Sequence, residues 1–260
     1  MKYFNCAIIT ILALMMSSCS SDETNNENPD NDAKLLKQVT WNTGYSEKYF
    51  YDSESRLELI VSNEYAFTGI SPNDSTYIEY QNGHISKILE RDHTFSEIIN
   101  DEKLFLNFTS TVASGTRKIF TDSGQTYMEQ TFEFKFAGNL LKSYTTFNLN
   151  ENVHFFQEYT HNAAGNLTEW NEISYDSSNG QIVYENNNAI TQWDQGNHAT
   201  EKLFMWDSIT LPGFYLSNNN CLNLIDETPT TYHYTFEYDV DGYVTKYTLD
   251  NGDFITLDYY

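Results

Sequence analysis

The side chains with the most reactive chemistry are scattered along this chain. His84, His93, His154, His161, His198 and His233 show no paired spacing, and no cysteine stands next to any of them. Zinc needs three or four nitrogen or sulfur ligands converging on one point, so no metal centre is expected. Asp239-Val240-Asp241-Gly242 and Asp250-Asn251-Gly252-Asp253 are rich in oxygen and could suit Ca²⁺. Neither continues into an alternating ligand run closed by a bidentate Glu. Both read better as turns, since Asp bonds its own backbone and Gly allows φ > 0. The chain has no Gly-x-Ser-x-Gly elbow, no His-Glu-x-x-His and no Gly-rich phosphate loop. Cys221 sits in the apolar setting Asn220-Cys221-Leu222, where a thiol packs more readily than it reacts. The 37 acidic residues permit many carboxylate pairs of the glycosidase kind, but nothing singles out two of them. The expectation is a protein with no catalytic residues and no cofactor.

Aromatic side chains offer a second kind of chemistry. There are 20 Tyr, 17 Phe and 4 Trp, and Tyr or Trp on a concave sheet can stack on sugar rings. The same stripe can equally be the core of a curled sheet, and core is the favoured reading. Trp193, Trp206 and Phe214 are the better ligand candidates, because they lie in or beside an irregular stretch at 196–228. Asp74-Ser75-Thr76 and Asp207-Ser208-Ile209 resemble the Asp-Ser/Thr acceptor for O-glycosylation of exported Bacteroidota proteins, which makes Ser75 and Ser208 candidate modification sites.

The elements that would position these residues are strands. Tyr232, Tyr234, Phe236 and Tyr238 fall on one face of an extended segment, and His233, Thr235 and Glu237 fall on the other. Asp239–Gly242 then turns the chain, and Val244 and Tyr247 resume the pattern. Weaker copies recur at 49–57, 77–85, 132–140, 159–167 and 175–182. Asn82-Gly83 in the second copy suits a type I′ turn. The third copy aligns without a gap on 236–244, and the fifth has an extra turn residue. Ser55 in place of Gly and His161 in place of Tyr are expected to distort the first and fourth copies. Elsewhere, 90–100 suits a helical turn or a ragged hairpin, with strands favoured, 117–126 reads as a hairpin about Asp122-Ser123-Gly124, and 184–193 as a hairpin about Asn186-Asn187-Asn188. Residues 202–206 suit a strand, and 221–225 an apolar knot or short helix. The sum is an all-β domain, a wide antiparallel meander of consecutive hairpins with about twelve to fourteen strands, which must curl or close into a barrel-like sheet.

The pattern aromatic-x-Tyr-Asp-x-x-Gly-x-(Leu/Val) resembles the YD repeat of Rhs-type proteins, whose repeats build long coiling antiparallel sheets. From about Lys34 to Tyr260 the chain also resembles a family of Bacteroidota lipoproteins with a porin-like fold, to which no activity is assigned. A membrane-spanning barrel is the weaker alternative. It needs an apolar outer band, whereas the second face carries Glu133, Lys135, Glu158, Glu237 and Lys246.

The first 33 residues give an address. Lys2 followed by the apolar run 3–16 and Ser17-Ser18 reads as a signal peptide over 1–18. Met16-Ser17-Ser18-Cys19 resembles a bacterial lipobox, which makes Cys19 the lipidated mature N-terminus. Residues 19–33 read as a disordered acidic tether and 34–260 as the domain. Ser20-Ser21-Asp22-Glu23 resembles the acidic surface-export signal of Bacteroidota lipoproteins, which implies an outer-membrane, surface-exposed location. Cys221 alone remains in the domain, so no intrachain disulfide is expected. The formal charge of −23 argues against nucleic-acid partners and suits a soluble monomer. The expected role is binding or scaffolding at the envelope for a glycan, a peptide or a partner protein. A structural spacer or assembly subunit is the alternative, and an enzyme acting on surface polysaccharide comes after both.

Overall fold

Period-two alternation commits the chain to strands, and short turns force each strand to pair with the next. The computed structural model describes residues 34–63, 74–93, 97–176, 178–194, 217, 219–225 and 230–260. The strands are β1 (Leu36–Trp41), β2 (Ser46–Tyr51), β3 (Leu57–Asn63), β4 (Asp74–Gln81), β5 (His84–Asp92), β6 (Ile99–Phe108), β7 (Val112–Thr121) and β8 (Thr126–Ala137). They continue as β9 (Leu140–Phe147), β10 (Val153–His161), β11 (Leu167–Tyr175), β12 (Ile182–Trp193), β13 (Cys221–Ile225), β14 (Thr231–Tyr238), β15 (Val244–Leu249) and β16 (Phe254–Tyr259). Every pair of neighbours is antiparallel, and β16 returns to β1 with Leu257 opposite Val39, so the sheet closes into a barrel. Closure leaves no strand edge to aggregate.

The expected all-β meander is present, with sixteen strands among the described residues in place of twelve to fourteen. Several stretches differ from expectation. Residues 184–193 do not turn at Asn186-Asn187-Asn188, because β12 runs unbroken through them between β11 and β13. Residues 221–225 are a strand, β13, held between β12 and β14. The strand expected at 202–206 lies outside the described residues.

Strand direction alternates, so the turns divide between two ends of the barrel. Those at 52–56, 82–83, 109–111, 138–139, 162–166 and 239–243 lie at one end. At this end three turns share one geometry. In 52–56, 162–166 and 239–243 the first residue's N–H donates to the fifth residue's carbonyl at 2.9 Å, and the fourth residue's N–H donates back to the first. The fourth residue is Ser55, Gly165 or Gly242, with φ of 61°, 78° and 82°. The first residue is Asp52, Asn162 or Asp239, and its Oδ1 accepts two further backbone N–H bonds from the third and fifth residues. The Asp of the repeat is thus a turn cap, and the Gly is the left-handed position that follows a type I turn. Ser55 does not distort the first copy, since it adopts the left-handed conformation itself. His161 leaves the fourth turn intact, and it sits opposite Leu167.

Asn82 (φ 54°) and Gly83 (φ 80°) form the expected two-residue turn. The third copy departs from its gapless alignment. Lys135 stands where Asp would cap, so β8 runs on through Phe136, which is buried opposite Leu141, and only Gly138-Asn139 turn. The fifth copy turns at the opposite end, where Gly180 N–H reaches Asp176 O at 2.8 Å.

The repeat's second aromatic is also explained. Tyr51 donates its hydroxyl to Leu36 O and Tyr80 to Leu57 O, both at 2.9 Å. Tyr259 does the same to Val244 O, and the Trp193 indole N–H to Leu167 O. Each acceptor is the first residue of the preceding strand, so these rings latch successive hairpins together at the end that carries the repeat turns.

Inside the barrel, this end is packed with apolar side chains. Phe132, Phe134, Phe136, Leu141, Tyr159, Leu167 and Cys221 belong to one buried cluster. Leu36, Val39, Tyr49, Ile60, Val244, Tyr247, Ile255 and Leu257 form a second, which runs on to the opposite end at Ile255, across from Trp41. Phe134 stacks on Tyr144 with ring centroids 4.5 Å apart. Phe105 and Phe132 meet edge to face over Gly115, where a Cβ would lie 1.8 Å from the Leu104 carbonyl oxygen. That close approach is why the position is glycine.

Candidate functional site

The opposite end of the interior is polar along the wall from β5 to β12. Cross-strand pairs share a face, and the register brings the inward side chains together. Ile88, Lys103, Arg117 and Gln130 are successive neighbours across β5 to β8. Glu90 stands opposite Asp101 on the same face. On β9 to β12, Thr146 pairs with Phe155, and Tyr144 with Gln157, which is followed by Glu172 and Asn186.

A buried ion network is the centre of this belt. Lys103 is 4% exposed and donates to Glu90 Oε1 at 3.1 Å and Asp101 Oδ2 at 3.3 Å. Arg117 grips Asp101 with a two-pronged fork, Nε to Oδ1 at 3.0 Å and one terminal nitrogen to Oδ2 at 2.7 Å. Burial alone would push the Lys103 pKa down, but the Glu90 and Asp101 charges outweigh it and raise it. Burial likewise pushes the Asp101 carboxyl up, and Lys103 and Arg117 pull it below its ordinary value. The two cations and two anions neutralise one another. Beside them Gln157 donates to Glu172 at 3.2 Å and accepts from the Tyr159 hydroxyl at 2.8 Å.

Three neutral atoms in the belt have no hydrogen-bond partner: Gln130 Oε1, Tyr144 OH and Thr146 Oγ1. Their residues are 6%, 1% and 1% exposed. An unpaired buried polar atom costs about 1–3 kcal/mol, and these three lie on the neighbouring strands β8 and β9. Burial raises the Tyr144 pKa, and Arg117 and Lys103 act against that, so the phenol lies within reach of the ion network.

The outer wall is polar as well. Thr131, Glu133 and Lys135 alternate with buried Phe132, Phe134 and Phe136 along β8. Ion pairs cross the outside between Lys118 and Glu129, Lys87 and Glu102, and Lys246 and Glu237. Glu158 and Glu237 are exposed and Lys135 also. Surface pairs of this kind contribute little stability, but they set what solvent the wall can face. One groove of about 540 Å³ runs over β3 to β5. Tyr77, Leu59 and Leu89 form its apolar part, and Glu58, Glu79 and Arg91 border it.

Of the residues singled out in the sequence, Ser75 lies on the outer face of β4, half-buried between Val61 and Arg91 and close to that groove. Trp193 turns inward at the apolar end, where its ring packs against the buried cluster. Cys221 is buried in the same cluster, and burial pushes its thiol up to about 12. Cys19, Ser208, Trp206 and Phe214 lie outside the described residues. Among the described residues no three His, Cys, Asp or Glu side chains converge as metal ligands do. The polar belt was missed in the sequence. Its one signal was Asp101-Glu102-Lys103, with charges on both faces of a strand, and the partners Glu90 and Arg117 are joined to it only by register.

These features define a closed antiparallel barrel, apolar in its interior at the end of the repeat turns and polar at the other end along β5 to β12. No family model matches the sequence, and no curated protein does. Among solved structures, the chain is similar to a porin-like protein from Bacteroides uniformis, with 17% identity, a TM-score of 0.56, and coverage of 89% of this chain and 94% of that one. A porin-like protein from Bacteroides vulgatus matches at 10% identity with a TM-score of 0.45, covering 87% of this chain and 99% of that one. The first likeness shows the porin-like fold.

Proposed function

We propose that this chain is a lipid-anchored, monomeric barrel of the outer membrane, exposed at the cell surface, which binds a polar ligand or envelope partner without catalysis. The observation that supports a non-spanning barrel is the polarity of its walls. Glu133, Lys135, Glu158, Glu237 and Lys246 face outward, Glu133, Glu158 and Lys246 from the inner stretches of their strands, while phenylalanines face inward. A barrel in lipid requires the opposite, with an apolar band outside. A Lys on a lipid-facing wall would cost about 2–4 kcal/mol at the bilayer midplane, and a Glu less. A barrel of this polarity belongs in water, so the membrane attachment is assigned to the lipid on Cys19.

The test is fractionation of native cells expressing the full chain. The wild type is expected in the membrane fraction, released by detergent, and a chain in which a cleavable secretory signal replaces residues 1–19 in the soluble fraction. If that unlipidated chain instead stays in the membrane through an alkaline carbonate wash, the barrel spans the bilayer and the proposal fails.

A further inference from the structure

We infer that the groove on the outer wall over β3 to β5 binds a short neutral glycan. This deepens the binding role proposed above and rests on it.

Register builds an apolar floor there. Phe50 stands opposite Leu59, Leu59 opposite Tyr77, and Tyr77 opposite Leu89. All four face outward, because their neighbours Tyr49, Ile60, Ile78 and Ile88 are buried inside. The row crosses four strands, a length of about 14 Å at the usual strand spacing. Phe50 and Tyr77 are 39% and 41% exposed, and Leu59 and Leu89 are half-buried. A contiguous apolar patch rimmed by polar side chains marks a binding surface, where scattered single residues would not. The groove over it, at about 540 Å³, has the size of a small-ligand site.

The borders set the chemistry of the ligand. Glu58 and Glu79 flank the row on the side of the repeat turns, and Arg91, two residues beyond Leu89, flanks it on the other. Glu58 is exposed, and its carboxylate has no partner among the described residues. Glu79 is exposed as well, with Lys87 at 3.6 Å. Arg91 gives one terminal nitrogen to Asp122 at 3.0 Å and keeps the other. The two carboxylates can only accept hydrogen bonds, and the guanidinium can only donate. A hydroxyl serves both, whereas an ammonium only donates and a carboxylate only accepts. A sugar reaches both borders with the hydroxyls of its ring edge and lays its C–H face on the aromatic and aliphatic floor. A peptide fits less well. Every strand of the closed barrel is paired on both sides, so no edge is open for strand addition, and the peptide's own backbone groups would lie against an apolar floor.

Titration calorimetry of the full lipidated chain, in a detergent without a sugar headgroup, tests the site. The neutral probes are maltotriose, cellotriose, mannotriose and tri-N-acetylchitotriose. Trigalacturonate, deacetylated chitotriose and the uncharged peptide N-acetyl-trialanine amide are the contrasting ones. At least one neutral trisaccharide is expected to bind. Tyr77→Ala and Glu58→Ala should each weaken it by about tenfold. Tyr184→Ala, which removes an exposed ring on β12 outside the groove, should leave it unchanged. Glu58 is exposed and unpartnered, so Glu58→Ala keeps the fold even if Tyr77→Ala disturbs it. Glycan binding that neither groove variant alters would overturn the site while the binding role stands. Binding of a charged trimer or the peptide alone, or of no probe at millimolar concentration, would overturn the ligand class. None of these outcomes bears on the membrane attachment, which the fractionation above tests separately.

Discussion

The two ends of the barrel interior are built from the same strands and do different work. On β8 a single alternating run carries both. Gln130 faces the polar belt, and Phe132, Phe134 and Phe136 continue the same face into the apolar end. The apolar end gathers the repeat turns, the ring-to-carbonyl latches and the phenylalanine stack. The polar end holds a buried ion network with three unpaired neutral atoms beside it. Hydrophobic burial is the main source of stability. Buried ion pairs barely recover their desolvation cost. The contrast therefore assigns stability to the apolar end.

The largest test of that division is Phe134→Ala. The ring is fully buried and stacked on Tyr144, and truncation leaves a cavity among rigid neighbours. The expected loss is about 4 kcal/mol in urea unfolding. A loss below about 1 kcal/mol would mean that the apolar end is loosely packed and the contrast is false.

A second test sits at the polar end and uses pH. Asp101→Asn leaves Arg117 without its counter-ion and Lys103 with Glu90 alone, for an expected loss of about 3 kcal/mol near neutral pH. Because the Asp101 carboxyl is held below its ordinary value, its contribution is complete above the unfolded-state pKa of about 3.9 and is lost as pH falls through the lower folded value. Asp101→Asn should therefore flatten part of the acid limb of the stability profile. Phe134→Ala should lower stability by a similar amount at every pH. Parallel profiles for the two variants would erase the distinction between an ionic end and an apolar one.

The apolar end was the legible one. Period-two alternation at 232–238 and 132–136 gave the inward face, and Tyr-Asp-x-x-Gly gave the turn, since both are local. The copies at 49–57, 77–85, 132–140, 159–167 and 236–244 all turn at this end, which is why the motif recurs on alternate hairpins. The polar end has no local signature. On β6 the inward residues are Asp101 and Lys103, while Leu104 and Leu106 face outward, so hydrophobic alternation points the wrong way. Asn186 and Asn188 face inward on β12 and bond to each other, yet a run of three asparagines reads as a turn. Cys221–Ile225 is too short to declare itself and is a strand only because β12 and β14 flank it. In each case the deciding partner lies on another strand, and only register supplies it.

The smallest test asks whether the repeat turns at the apolar end are interchangeable, as one shared geometry requires. Ser55 holds φ at 61° in the turn where Gly165 and Gly242 hold 78° and 82°. A side chain in that region costs about 1 kcal/mol relative to glycine. The Asp52 cap and the two backbone bonds of the turn are unchanged by substitution at 55. Ser55→Gly should therefore raise stability by about 1 kcal/mol, less the added freedom of glycine in the unfolded chain. Gly242→Ala should lower it by about the same amount, because Asp239 caps the same geometry there. Opposite signs of similar size would make the turn a single repeated device whose strain is set by the fourth residue alone. Equal signs would mean that Ser55 is held by something other than the turn, and the first hairpin would have to be set apart from the others.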